Sequence, residues 1–202
     1  MQNISDSKEK IALDVVLLLP PEVAQLCIDT NTRFASDEYI RFTDGYNPHI
    51  TLAMGVVANS DFDNFRNDIE EVLKNWKPLY LSLSGFHPRV PGWFDISSTV
   101  ELQELHEQIS NIMIKYAARD ATPEMCFEPE KVAPDSGALR WINVFDTEKS
   151  FENYEPHISI CKGDTSGVSV EPKDFVARTI GIFHYGVHGT CKHELARFTL
   201  GV

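Results

Sequence analysis

Basic residues are scarce in this chain. Lys and Arg number 18 against 30 Asp and Glu, which leaves a formal net charge of −12. Affinity for duplex DNA or long RNA comes largely from neutralising phosphates with Lys and Arg, so long nucleic acid is a poor partner here. A nucleic-acid substrate would have to be small, or a strand end held in a local pocket. Long apolar runs are also missing. The longest, Ile11 to Leu19, is interrupted by Asp14 and stopped by Pro20-Pro21. It is too short to span a bilayer, so no membrane partner is expected. The first ten residues are polar and lack the apolar run of a secretory leader. Cysteine is sparse: Cys27, Cys126, Cys161 and Cys191 are scattered, with no Cys-x-x-Cys pair. The expectation is a cytoplasmic monomer whose thiols stay reduced and are buried as small hydrophobes.

What is present suits a folded globule. The chain has 202 residues, 43% of them hydrophobic, enough for one domain or two small lobes sharing a core. The expected organisation is a polar tail over 1–10 and a single domain over 11–202. Residues 11–19 read as a buried strand. Pro21-Glu22 can open a helix over about 21–34. Tyr39 to Phe42 suggests a short strand within a polar loop. A helix follows from Ser60 or Asp61 to about Trp76, carried by Phe62, Phe65, Ile69, Val72 and Leu73. Leu79 to Ser84 alternates as a strand, with a hairpin partner at 92–97 across the proline-stiffened loop His87 to Pro91. Leu102, Leu105, Ile109, Ile112, Met113 and Tyr116 predict a helix over 100–118, with His87 and His106 read as surface residues. Residues 119–138 hold Pro123, Pro129, Pro134 and Gly137 and few apolar anchors, and read as a long structureless connection of the kind that serves as a lid, a binding loop or a flexible segment. Leu139 to Phe145 reads as a strand, 146–153 as a polar loop. After a turn at 165–167, strands are expected over 177–185 and 190–200. Strands, helices and hairpins in this order indicate an α+β fold with mixed or antiparallel sheets.

One pattern occurs twice. Tyr46-Asn47-Pro48-His49-Ile50-Thr51-Leu52-Ala53-Met54-Gly55 and Tyr154-Glu155-Pro156-His157-Ile158-Ser159-Ile160-Cys161-Lys162-Gly163 share the frame Tyr-x-Pro-His-Ile-[Thr/Ser]-[Leu/Ile]-x-x-Gly. On a strand, His49 and Thr51 face one side while Ile50 and Leu52 face the other; the same holds for His157 and Ser159. The apolar pair anchors each strand, which leaves a histidine and a hydroxyl to face a cavity. Histidine trades protons near neutral pH. Two histidines across one atom can divide the work, one taking a proton from the attacking oxygen, the other giving one to the leaving oxygen. The two hydroxyls can hold non-bridging oxygens, a four-point clamp suited to a phosphodiester. Such chemistry requires no metal or other cofactor, and no carboxylate cluster in the sequence suggests a site for one. The proline before each histidine sets an extended entry.

These paired motifs, with the ending from Ile180 to Leu200, resemble the two-histidine (2H) phosphoesterase superfamily, which includes the so-called bacterial 2′-5′ RNA ligases and RNA 2′,3′-cyclic phosphodiesterases. The resemblance implies a bilobal α+β fold with pseudo-twofold symmetry around a central cleft. It implies metal-independent catalysis by His49, Thr51, His157 and Ser159. The expected substrate is a 2′,3′-cyclic phosphate or a 2′-5′ phosphodiester in a small nucleotide or RNA end. RNA joining through 2′-5′ linkages and a non-catalytic nucleotide-binding module are the alternatives.

Further candidate contacts lie among nearby aromatic and basic residues. Tyr46 and Tyr154, three residues before each histidine, can stack on a base or pack the strand entry. Tyr185, Trp141 and Phe151 are aromatic candidates; Lys162, Arg41 and Arg140 are candidate phosphate contacts. His184, His188 and His193 crowd the last hairpin, but their spacing matches no zinc pattern.

Overall fold

The computed structural model describes residues 9–201. Most of the expected 1–10 tail lies outside them, and Lys10 already opens a strand. The chain builds β1 (Lys10–Leu18), α1 (Pro21–Phe34), β2 (His49–Ala58), α2 (Phe62–Leu73), β3 (Leu79–His87), β4 (Gly92–Ile96), α3 (Val100–Tyr116), β5 (Ala117–Ala118), α4 (Gly137–Glu148), β6 (His157–Cys161), β7 (Lys173–Ala177), β8 (Thr179–Tyr185) and β9 (Cys191–Thr199). These form two sheets, β5-β2-β1-β8-β9 and β6-β4-β3-β7, and every pair of neighbouring strands is antiparallel. The α+β expectation holds, with antiparallel rather than mixed sheets. No helix among the described residues is long and apolar enough to cross a membrane.

The helices follow from simple spacing. Val23, Cys27 and Asn31 form the buried stripe of α1, and Phe65, Ile69 and Leu73 that of α2. Thr99 caps α3, accepting from the Leu102 amide. One large core joins both sheets, running from Leu13, Val15 and Leu17 through Ile50 and Leu52 to Phe94, Ile158 and Ile160.

Several expectations need correcting. Leu139 to Phe145 is not a strand but the middle of α4, which Ser136 caps. Ala138, Leu139, Ile142 and Phe145 are its buried residues, a three-to-four spacing that belongs to a helix. Tyr39 to Phe42 forms no strand. Tyr39, Ile40 and Phe42 are buried all the same, and a 3-10 turn follows over Phe42–Asp44. The run expected as one strand over 177–185 belongs to two: β7 pairs with β3 in one sheet, and after Arg178 β8 pairs with β1 in the other. Residues 119–138 are not a free loop. Met125, Cys126 and Val132 are buried against Ala12, Val56, Leu139, Ile142 and Tyr185, and the Phe127 amide donates to the Tyr185 carbonyl. His106, expected at the surface, is fully buried. All four cysteines are free and buried, as expected.

Candidate active site

The duplication seen in the sequence extends to the backbone. β2 and β6 open with the same burial sequence: histidine half-buried, isoleucine buried, hydroxyl half-buried, then two buried residues. Each strand also carries a register slip at the same place. Against β1, Val16 pairs with Thr51 and Val15 with Ala53, so Leu52 is skipped. Against β4, Trp93 pairs with Ser159 and Gly92 with Cys161, so Ile160 is skipped. A bulge bends a strand and re-aims its side chains. Here it falls on the residue after the hydroxyl in both copies.

A bulge frees a carbonyl from the ladder, and a buried carbonyl needs a partner. Two buried polar side chains supply them. His106 on α3 meets the Leu52 carbonyl through Nδ1 at 2.6 Å. Asn31 on α1 donates to the Ile160 carbonyl at 2.8 Å, donates to Ile40 at 3.1 Å and accepts from the Phe42 amide at 3.0 Å. His106 also accepts the Phe151 amide proton on Nε2 at 2.9 Å, which fixes its proton on Nδ1. Its ring stacks on Tyr154 at 3.7 Å and 1°. Burial pushes its pKa down to about 4, so it stays neutral at physiological pH. Tyr154 completes the link by donating its hydroxyl proton to the Thr51 carbonyl at 2.9 Å. The second repeat thus holds the first directly.

The two candidate histidines are held alike. Nδ1 of His49 lies 2.8 Å from the Asn47 carbonyl, and Nδ1 of His157 lies 2.7 Å from the Glu155 carbonyl. Both carbonyls sit two residues upstream, and both fix the proton on Nδ1, leaving Nε2 for chemistry. Their surroundings then differ. Nε2 of His49 faces Asp14 Oδ2 at 3.6 Å and Cys191 Sγ at 3.7 Å. Asp14, fully buried on β1, also accepts from the Thr51 hydroxyl at 3.3 Å. Burial pulls the His49 pKa down, but the facing Asp14 carboxylate and the Asn47 carbonyl outweigh it, so the net shift is upward. Burial pushes the Asp14 carboxyl up, against the pull of His49, Thr51 and Cys191. His157 moves the other way. Burial lowers it most; the hydrogen bond to the Glu155 carbonyl pulls it up, the charge of His49 pushes it down again, and the Glu155 and Asp95 carboxylates add smaller upward pulls, leaving a net downward shift. Its ring packs on Trp93 at 4.8 Å, and Trp93 in turn stacks on His87 at 5.0 Å and lies under the Arg89 guanidinium at 5.3 Å.

The remaining sequence candidates are mostly occupied by structure. Tyr185 is buried and donates to the Ala138 carbonyl at 2.8 Å. Tyr46 is buried, donates to Glu128 at 3.3 Å and lies under Lys192. Arg41 reaches the Asn31 and Thr32 carbonyls, both at 3.3 Å, and Asp37 at 3.0 Å, closing the end of α1. Lys162 lies over the Tyr39 ring at 5.8 Å. Phe151 serves through its backbone, at a φ of 57°. Arg140 and Trp141 were expected on a strand leading into the second motif. They sit on α4, exposed, with Glu148 and Lys149 as partners. Asp14, His106, Asn31 and Trp93 are not site residues by the sequence reading. For the first two a signal existed: Asp14 is a lone charge in an aliphatic strand, and His106 occupies the apolar stripe of its helix. Asn31 likewise lies on the stripe of α1.

Three comparisons bear on this geometry. A family model described as the 2′-5′ RNA ligase superfamily matches residues 20–173. Among solved structures, Escherichia coli LigT complexed with NADP+ is 13% identical with a TM-score of 0.59, covering 96% of this chain and all of that one. A phosphoesterase crystal structure is 15% identical with a TM-score of 0.59, covering 95% and 99%. A protein of Thermus thermophilus is 14% identical with a TM-score of 0.56, covering 94% and 98%. At these identities the likeness shows the fold. None of the curated proteins matches the chain.

Proposed function

The chain belongs to the 2′-5′ RNA ligase superfamily, and from that premise we propose that it is a metal-independent phosphodiesterase acting on a 2′,3′-cyclic phosphate or 2′-5′ phosphodiester in a small nucleotide or RNA end. The observation that carries this reading is the pair of histidines held in the same tautomer but shifted in opposite directions. Environments that push two titrating groups apart assign the acid and the base. His157, lowered, is the base: its Nε2 takes a proton from the attacking water. His49, raised by Asp14, is the acid: it protonates the departing ribose oxygen as the P–O bond breaks. Thr51 and Ser159 hold the non-bridging oxygens. For this, Thr51 must turn its hydroxyl from Asp14 to the phosphate. In the joining direction the roles of the histidines exchange.

Size and charge support a small substrate. The net charge of −12 disfavours long RNA. E. coli LigT, which shares the fold, has been crystallised with NADP+, 3′-AMP and ATP. A cytoplasmic setting suits four free thiols.

The test is turnover of a panel of nucleoside 2′,3′-cyclic phosphates and a 2′-5′ dinucleotide in excess EDTA, with His49→Ala, His157→Ala and the double variant alongside. Activity that survives EDTA and is nearly lost in either single variant is expected, with the double variant little worse than the singles. The product isomer identifies the leaving oxygen. Nucleotide binding without turnover of any member would replace the enzyme reading with a binding module on this fold.

A further inference from the structure

Asp14, His49 and Cys191 come from three different strands or strand ends, and each presents one donor atom to the same point. Asp14 Oδ2, His49 Nε2 and Cys191 Sγ lie 3.6, 3.7 and 3.7 Å apart pairwise. A tetrahedral cation with bonds of about 2.0 Å to nitrogen and oxygen and about 2.3 Å to sulfur spaces its ligands about 3.3–3.6 Å apart. The triangle is therefore within a few tenths of an ångström of a ready-made face. We propose that this cluster is an inhibitory site for a zinc-class divalent cation, bound by Asp14, His49 and Cys191.

Three features argue for it beyond the spacing. First, His49 already donates its other ring proton to the Asn47 carbonyl at 2.8 Å. That backbone partner is what orients a metal-binding imidazole and leaves Nε2 as the ligand. Secondly, Asp14 is fully buried, yet its Oδ1 has no hydrogen-bond partner among the described residues. A fully buried carboxylate with one oxygen unpaired is poorly compensated, and a cation bound at its Oδ2 offsets the buried charge. Thirdly, the charges balance. A carboxylate, a thiolate and a neutral imidazole sum to −2, which a divalent cation neutralises in a site where both Asp14 and Cys191 are shut off from solvent. The donor set includes a thiolate, so it selects zinc, cobalt or cadmium over magnesium and calcium. Access is by the edge of His49, whose side chain is 14% exposed where that of Asp14 is fully covered.

Binding forms the M–Sγ, M–Nε2 and M–Oδ2 bonds. The thiol proton of Cys191, and any proton on Nε2 of His49, passes to the buffer; no oxidation state changes. The metal then occupies the nitrogen that would deliver the leaving-group proton. The inhibitory consequence rests on the two-histidine reading of the site; the binding itself does not.

The experiment uses the intact chain, stripped with EDTA and dialysed. Cobalt(II) is titrated first, because a tetrahedral thiolate complex gives both intense d–d bands and a sulfur-to-cobalt charge-transfer band. A 1:1 complex with the charge-transfer band, displaced by zinc, is expected. Cys191→Ser should abolish that band and weaken binding at least roughly 30-fold, and Asp14→Asn should weaken it at least about tenfold. Cys126→Ser and His157→Ala should leave the band in place. With a substrate that turns over, zinc at one equivalent should cut the rate more than tenfold in the wild type, and EDTA should restore it. A cobalt spectrum without the thiolate band in the wild type, or one that persists in Cys191→Ser, overturns the proposal. The cobalt readouts need no turnover, so a failure of the enzyme reading would be seen separately, and an unchanged rate with zinc bound would overturn the inhibitory role.

Discussion

Acid should weaken this fold through His106, and the size of the effect follows from its surroundings. The folded protein holds His106 neutral, with its pKa lowered to about 4 from an ordinary 6.5, chiefly by burial. In the unfolded chain the same ring takes a proton below about pH 6.5. Between pH 6.5 and 4 the unfolded state therefore binds more protons, and stability is lost as pH falls. The full displacement is worth about 3 kcal/mol, and about 2 kcal/mol of it is gone by pH 5. The perturbation is His106→Asn, in which the amide can still donate to the Leu52 carbonyl but leaves the Phe151 amide without its acceptor. The assay is urea unfolding of both proteins at pH 7.5, 6.5, 5.5 and 5.0. At pH 7.5 the wild type should be more stable by about 1–3 kcal/mol. That advantage should shrink by about 2 kcal/mol at pH 5, because every other titrating group is common to the two proteins. Parallel stability curves would refute the reasoning, since they would mean that His106 is protonated as readily inside the fold as outside it.

Other outcomes follow from the same geometry. Asp14→Asn removes the anion that favours the His49 imidazolium, so the alkaline limb of the pH–rate profile should move to lower pH and kcat/KM should fall about ten- to a hundredfold; an unmoved limb would separate Asp14 from the proton donor. Asn31→Ala strands the Ile160 carbonyl and the Phe42 amide and should cost about 2–4 kcal/mol in chemical denaturation. Gly163→Ala would place a Cβ 2.2 Å from the Phe34 carbonyl oxygen, so thermal melting should fall by several degrees, as expected for a loss of about 1–3 kcal/mol. Arg140→Ala and Trp141→Ala, on the outer side of α4, should leave turnover within about twofold; a tenfold loss in either would bring that helix into the site.

The motif was legible because it is a local code. Alternation on a strand puts His49 with Thr51 and His157 with Ser159, and the burial of β2 and β6 follows that alternation residue by residue. The closing glycine of each repeat also has a local reason: a Cβ on Gly55 would sit 2.8 Å from Ala117 and Met113, and one on Gly163 would strike Phe34. What the sequence hides is the supporting layer. Nothing near Leu52 or Ile160 announces a bulge, so nothing asks for His106, 54 residues away, or Asn31, 129 away. The split at Arg178 is hidden because two consecutive strands with no turn between them read as one. The α4 error is different in kind. Its residues carry the helical spacing and the Ser136 cap, but a short apolar run can pass for a strand when the spacing around it is ignored.

The interleaving of the two sheets has a temporal consequence. His49 rides on a sheet whose β8 and β9 follow it by more than a hundred residues, and His157 on a sheet whose β3 and β4 were made long before it. Cys191, whose Sγ lies 3.7 Å from both Asp14 and Nε2 of His49, opens β9, which follows both histidine motifs in the chain. On a ribosome, β1 and β2 can pair early, but β1 waits more than a hundred residues for its second neighbour. The free edge of an aliphatic strand is exposed for that interval. A nascent chain therefore carries the first histidine motif in an unfinished sheet, and the sheet that holds His49 is completed only after β8 and β9 have been made.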